Sequence, residues 1–311
     1  MSAASADDLI LWSYDASPFT QRVLRMLAIK NLAWRWVETP MLPPKDALAA
    51  LTGGYRGTPV LQVGADVYVD SQLIALELER RHSEPSLFPA GDCGLALALV
   101  SWSDAFFRSA LGVVVNATAA AWPAAFLQDR RELIADFDWD AALASAVHAR
   151  SQFRAHAQFL DAQLADGRQF LTGARPGLVD AQALPFVAMV RGLGPRGAQL
   201  FSDFEFLPAW EAAMTALGEG RRTAMTPEAA LAVAHASQPI EGPQSGLCTV
   251  SDGLQSGVLV DVSPDDTQRG HMRGALLRLD ATRVTIRRQH PLCGEVCVHF
   301  PRLGYRVAAI P

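Results

Sequence analysis

Cysteine is scarce in this chain of 311 residues: Cys93, Cys248, Cys293 and Cys297 are all there are. Four over this length do not make a disulfide framework, so a reducing, cytoplasmic setting is expected. Positive charge is not in excess either. With 27 Lys and Arg against 32 Asp and Glu the formal net charge is -5, which leaves no bulk electrostatic basis for holding nucleic acid. Apolar runs are short, Val113-Val114-Val115 being typical, and too short to cross a bilayer. Met1 to Asp8 carries no basic residue and no long apolar run, and does not read as a signal peptide. The expectation is a soluble protein with neither nucleic acid nor membrane as a partner.

Hydrophobic residues make up 50% of the chain and charged ones 19%, which is ample for packed cores and argues against disorder. The length suggests two or three domains. The most informative stretch is Leu9 to Arg25. Leu9 to Trp12 fits a short buried strand. Ser13 to Pro18 is a polar break, and Phe19, Val23, Leu24, Leu27 and Ala28 then recur at helical spacing. Pro18 suits a first helical turn, where its missing N–H is no loss, and Ser17 suits the N-cap. A strand feeding a helix start favours an anion or a thiolate, through free amides and the helix dipole. Ser17 and Tyr14 add hydroxyls there; the plainer alternative is that Ser17 only caps the helix.

Two further pieces follow: Gly57-Thr58-Pro59-Val60-Leu61-Gln62-Val63, then Val67-Tyr68-Val69-Asp70-Ser71-Gln72-Leu73-Ile74. Ser-Pro-Phe opening a helix, Thr-Pro-Val before a strand and Asp-Ser opening a second helix, in that order, resemble the glutathione S-transferase family. The resemblance implies a thioredoxin-like α/β domain in which Pro59 follows a cis bond and borders the glutathione site.

The rest of the chain fits that frame. Trp34 to Glu38 alternates and reads as a second strand, Lys45 to Leu51 as a short helix, Val60–Val63 and Val67–Val69 as a hairpin, and Ser71 to Arg81 as a helix. Leu95 to about Leu217 reads as all helical, with amphipathic stretches at Leu95 to Val115, Ala141 to Leu164, Leu178 to Val190 and Pro208 to Leu217. Thr226 to Ala236 reads as a short helix and Gln238 to Gly246 as a linker. Five β-rich runs close the chain: Gly257 to Val262, Gly274 to Leu279, Arg283 to Arg287, Glu295 to Phe300 and Tyr305 to Ala309. Their spacing suggests a small antiparallel sheet or barrel. The fold expected is an α/β thioredoxin-like N-terminal domain over 8–84, an all-α helical bundle over 92–222 and a small C-terminal β-rich domain over 245–311. The resemblance covers only the first two-thirds.

It implies an enzyme that uses the glutathione thiolate against a small apolar electrophile. Ser17 stands where serine-type members place the residue touching the sulfur, Tyr14 nearer the tyrosine-type position; Ser17, directly before Pro-Phe and the helix, is the favoured donor. Backbone of Phe19 and Val60, the Asp70–Ser71 pair and Lys45 would hold the rest of the tripeptide: Val60 the cysteinyl part, Asp70 and Ser71 the γ-glutamyl end, Lys45 the glycyl carboxylate. Trp102, Phe106, Phe107 or Trp122 would meet the electrophile. A homodimer is also implied. Ser17 is not a cysteine, which disfavours disulfide exchange. Two alternatives stand beside conjugation: a non-catalytic member that binds or scaffolds, and a glutathione-dependent reductase or dehalogenase. No metal site is expected, since His290, Cys293, Cys297 and His299 lack the paired Cys-x2-Cys spacing of structural zinc. In the helical part Asp180 lies three residues after Gly177, where the family usually has Ser or Thr; Asp180 is read as structural.

Overall fold

The computed structural model describes residues 5–240, 254–266 and 270–310. The chain opens with β1 (Ile10–Ser13), α1 (Pro18–Ile29), β2 (Ala33–Glu38), α2 (Asp46–Thr52), β3 (Val60–Val63), β4 (Asp66–Val69) and α3 (Ser71–Arg81). All four residues of β1 are buried because both faces of the sheet are covered. Leu9 and Leu11 point into a core shared with α1 and the helical bundle, whereas Ile10 and Trp12 join a second core with Leu48 and Leu51 of α2. Trp12 carries a polar atom into that second core and satisfies it by donating from Nε1 to Gln62 Oε1 at 2.8 Å. β1 and β2 are parallel across α1, and β3 and β4 continue antiparallel.

The helical part comprises α4 (Cys93–Thr118), α5 (Ala124–Leu133), α6 (Trp139–Ala144), α7 (Val147–Leu164), α8 (Leu178–Arg191), α9 (Pro195–Ala198) and α10 (Leu207–Ala216). The stretch expected as one helix over Ala141 to Leu164 is two, because the chain turns extended at Ser145. With its 3-10 extension to Ala121, α4 is long and apolar enough to span a bilayer by length and composition alone, but Phe106, Phe107, Ala110 and Val113 are buried in the bundle. Asp180, 0% exposed, accepts from the amides of Leu171 and Gly177 and from Trp210 Nε1 at 2.7–2.9 Å. Three donors hold that carboxylate inside the bundle and tie α8 to α10.

The chain then adds β5 (Arg221–Ala224), α11 (Pro227–His235), β6 (Leu259–Pro264), β7 (Met272–Leu279), β8 (Arg283–His290), β9 (Gly294–Pro301) and β10 (Tyr305–Ala309). The β-rich segment is an antiparallel set, and it continues the first sheet. The order is β10-β6-β7-β8-β9-β4-β3-β1-β2-β5, ten strands, with β9 parallel to β4. β5, Arg-Arg-Thr-Ala and mostly exposed, lacks the apolar alternation of a strand and is placed only by its pairing with β2. Most of the expected linker over 238–246, the first residues of the third segment and Cys248 lie outside the described residues.

The seam between β4 and β9 carries a buried polar group. His299, 0% exposed, pairs through Nε2 with Asp66 Oδ1 and through Nδ1 with the Thr285 hydroxyl, each at 2.9 Å. Its ring stacks on Tyr68 at 4.5 Å. Asp66 also accepts the Ile240 amide at 2.8 Å. Cys293 and Cys297 are buried, His290 Nδ1 accepts the Leu292 amide, and among the described residues no three metal-ligating side chains converge.

Candidate functional site

Strand register brings the separate sequence motifs to one end of the sheet. Trp12 of β1 is opposite Val37 of β2 and Val60 of β3, and Val60 is opposite Val69 of β4. The segments just past these positions therefore meet: Tyr14 to Ser17 after β1, the loop to Lys45 after β2, Thr58-Pro59 before β3 and Asp70-Ser71 after β4. The Thr39 amide donates to Ser13 O at 2.9 Å and closes the same end.

Ser17 is the N-cap of α1 and is 3% exposed; its Oγ accepts the Thr20 amide at 3.2 Å. That bond uses a lone pair and leaves the hydroxyl proton to donate elsewhere. It also occupies the Thr20 amide, so of the two first-turn amides that could face an anion only that of Phe19 carries no hydrogen bond among the described residues. The Phe19 side chain packs edge-on against Phe107 at 4.9 Å, and the Arg22 guanidinium lies over its ring. Arg22 is 1% exposed, and burial lowers its pKa against the pull of Asp104, to which it bonds at 3.1 Å.

The Thr58–Pro59 bond is cis, as expected; Pro43–Pro44 and Glu84–Pro85 are cis as well. Val60 lies within the sheet. Its backbone lies between β1 and β4, opposite Trp12 and Val69, so no strand edge is open there. The backbone outside the ladder lies just before it, at Thr58 and Pro59. Asp70 has φ 73°, a left-handed conformation that costs a non-glycine residue about 1–3 kcal/mol and is kept where the surroundings impose it. Its Oδ1 accepts the Gln72 amide at 2.9 Å, capping α3, while burial raises the carboxyl pKa against that bond. Ser71, 6% exposed, is the first residue of α3.

Lys45 lies just before α2, its Nζ 5.3 Å from the centre of the Tyr14 ring. That Nζ is buried and has no hydrogen-bond partner among the described residues. Burial first, then Arg56 and Arg130, push its pKa down to about 7, with Asp129 opposing. Arg130 Nη1 donates to the Tyr14 hydroxyl at 3.2 Å and its Nη2 to Met41 O at 2.8 Å. Arg56 pairs with Asp129. Arg130 lies 2.7 Å from Asp129 Oδ2, yet that oxygen takes no hydrogen bond, so the contact is a pair of charges in poor alignment. Tyr14 is thus packed between Lys45 and Arg130, and its carbonyl accepts the Ser17 amide at 3.1 Å.

Of the four aromatic candidates, Phe107 is brought against Phe19. Phe106 is interior, packed on Phe153 and Phe186, and Trp102 sits beside Phe106 and His156. Trp122 meets Phe126 of α5, the ring that Arg130 also covers. Sequence reading missed Arg56, Asp129 and Arg130. The Asp129-Arg130-Arg131 run has the composition of an ordinary solvated helix face, and nothing in its spacing distinguishes it.

Comparison with known proteins fits this geometry. Residues 11–86 match the family model "Glutathione S-transferase, N-terminal domain", and residues 128–216 match "Glutathione S-transferase, C-terminal domain". No curated protein matches the chain. Among solved structures, a GST-like protein from Pseudomonas syringae is 28% identical, with a TM-score of 0.80 over 98% of this chain and 100% of that one. A glutathione S-transferase from Rhodospirillum rubrum is 21% identical, with a TM-score of 0.51 over 67% of this chain and 88% of that one. A Tau class glutathione S-transferase from mango is 19% identical, with a TM-score of 0.52 over 67% and 89%. The last two speak for the fold alone.

Proposed function

Because the chain belongs to the glutathione S-transferase family, we propose that it conjugates the glutathione thiolate to a small electrophile, with Ser17 as the residue that activates the thiol. The observation that carries this is the Ser17 hydroxyl: it caps α1 with a lone pair and keeps its proton, at the end of the sheet where Pro59, Asp70, Ser71 and Lys45 also gather. A free thiol has a pKa near 8.5, so little thiolate exists at neutral pH unless the protein stabilises it. A buried hydroxyl donating to sulfur does this, as does the dipole of a twelve-residue helix aimed at the same point. Asp70 would pair with the ammonium and Ser71 donate to the carboxylate of the γ-glutamyl end. Backbone at Thr58 would align the cysteinyl part, and Lys45 would meet the glycyl carboxylate. The electrophile would rest its apolar body near Phe107 and the Trp122–Phe126 pair.

The thiolate absorbance of bound glutathione, followed against pH, tests this. Ser17→Ala removes a charge-assisted bond of about 1.5–3 kcal/mol and should raise the bound thiol's pKa by about one to two units. Binding should fall less, since Asp70, Ser71 and Lys45 remain. An unchanged midpoint in Ser17→Ala would move the role to the Tyr14 hydroxyl. No thiolate in either protein would favour binding without catalysis.

A further inference from the structure

The electrophile itself has a charge to meet. Lys45 of the α/β part, Arg56 of the loop before Pro59, and Arg130 of α5 surround one carboxylate, Asp129. With Lys45 protonated, two positive charges are left without a counter-charge. They are not solvated charges. The side chains of Arg56 and Arg130 are each 12% exposed and that of Asp129 is 8%. Nζ of Lys45 and Nε of both arginines are buried and lack hydrogen-bond partners among the described residues. Uncompensated buried charge is expensive, and a bound anion relieves it.

Under the reading above, the glycyl carboxylate of glutathione supplies one negative charge, at Lys45. One positive charge remains, and Tyr14 fixes where it faces. The Tyr14 backbone carbonyl holds the Ser17 amide and its hydroxyl holds Arg130, so the guanidinium borders the loop that carries the thiol-activating residue. The rings beside it, Phe126 of α5 under Arg130 and Trp122 just before that helix against Phe126, are apolar and flat. We propose that the acceptor substrate is an aromatic or similarly flat electrophile bearing a carboxylate, whose anionic end is held by Arg130. This rests on the conjugation reading. The reaction with such an acceptor balances simply. The thiol proton leaves to solvent, the sulfur–carbon bond forms, and the carbon–halogen bond breaks with its electron pair on the departing halide.

Two acceptors differing only in charge test the proposal: 4-chloro-3-nitrobenzoate and its methyl ester, each rate divided by its uncatalysed rate with glutathione. The wild type should favour the acid at least tenfold in kcat/KM. Arg130→Met should cut that preference at least tenfold, and Arg130→Lys should retain part of it. Binding is read separately with unreactive 3-nitrobenzoate, which should raise the melting temperature of the wild type and not that of Arg130→Met. No preference for the acid in the wild type would overturn the proposal. So would an Arg130→Met variant whose KM for glutathione rises as much as its acid preference falls, because Arg130 would then serve the glycyl carboxylate. The two readings fail distinguishably. If neither acceptor is turned over while 3-nitrobenzoate stabilises through Arg130, conjugation is wrong and the anion pocket stands. If the ester is conjugated without preference for the acid, the reverse holds.

Discussion

Lys45 is the residue whose state most depends on its surroundings. Burial and the facing guanidinium groups of Arg56 and Arg130 lower its pKa to about 7, and Asp129 and the Tyr14 ring do not offset this. A bound carboxylate would favour the charged form and raise that pKa again. By linkage, the bound state then holds the proton more tightly than the free state, so binding weakens as pH rises through about 7. S-methylglutathione, which has no titrating thiol, is the suitable probe. Its dissociation constant should rise severalfold between pH 6 and pH 8.5, each tenfold being about 1.4 kcal/mol. Lys45→Arg stays charged throughout and should flatten the profile. A flat wild-type profile would place the glycyl carboxylate away from Lys45.

At the scale of the element, α8 explains an apparent defect. Gly177 sits where a Ser or Thr would complete a capping box, so only half the box is made: Asp180 Oδ2 accepts the Gly177 amide at 2.9 Å, with no return bond. The reason is space. A Cβ on Gly177 would come 2.9 Å from Leu87 O and 2.9 Å from Pro89 Cδ, because the Leu178 amide donates to Leu87 O at 2.7 Å and draws the two segments together. Restoring the usual residue should therefore harm the protein. Gly177→Ser is expected to destabilise by about 1–3 kcal/mol, since the overpacking meets backbone rather than a flexible side chain. A urea midpoint equal to or above that of the wild type would show that the Leu87–Pro89 segment can yield.

For the whole molecule, the decisive feature is the parallel pairing of β4 with β9, which merges the C-terminal strands into the first sheet. His299 of β9 ties its own strand to two others: to Asp66 and Tyr68 on β4, and to Thr285 on β8. His299→Phe keeps the ring against Tyr68 but leaves Asp66 buried without its partner. It should cost about 1–3 kcal/mol, the penalty of a buried acceptor left without its donor. Unfolding followed by tryptophan fluorescence, which reports on the first two-thirds of the chain, should register that loss because the sheet is shared. If the fluorescence midpoint did not move, the C-terminal strands would be energetically separate. At the same scale we propose a homodimer, as family membership implies; sedimentation at micromolar concentration should give about twice 33.5 kDa. A monomer alone would oppose it.

Local sequence determined much of this protein. The Ser17–Pro18 break opens α1 because proline and serine each suit one position of a helix start, and the structure follows within a residue. Strands, hairpin and α3 were legible because burial on both faces demands continuous apolar runs and turns demand glycine. The meeting of Ser17, Pro59, Asp70 and Lys45 was legible only through resemblance; what brings them together is strand register, which no single segment encodes. Val60 shows the difference. Its place in the motif reads from sequence, but whether its backbone is open depends on β1 and β4 lying to either side. Three features came from tertiary structure alone. β5 is a strand only because β2 offers it an edge. The five C-terminal strands join the first sheet because β4 offers theirs, and hydrogen-bonding edges leave no trace in composition. Arg56, Asp129 and Arg130 read as solvated charges until folding buries them together, since whether a charge keeps its water is decided by what packs over it.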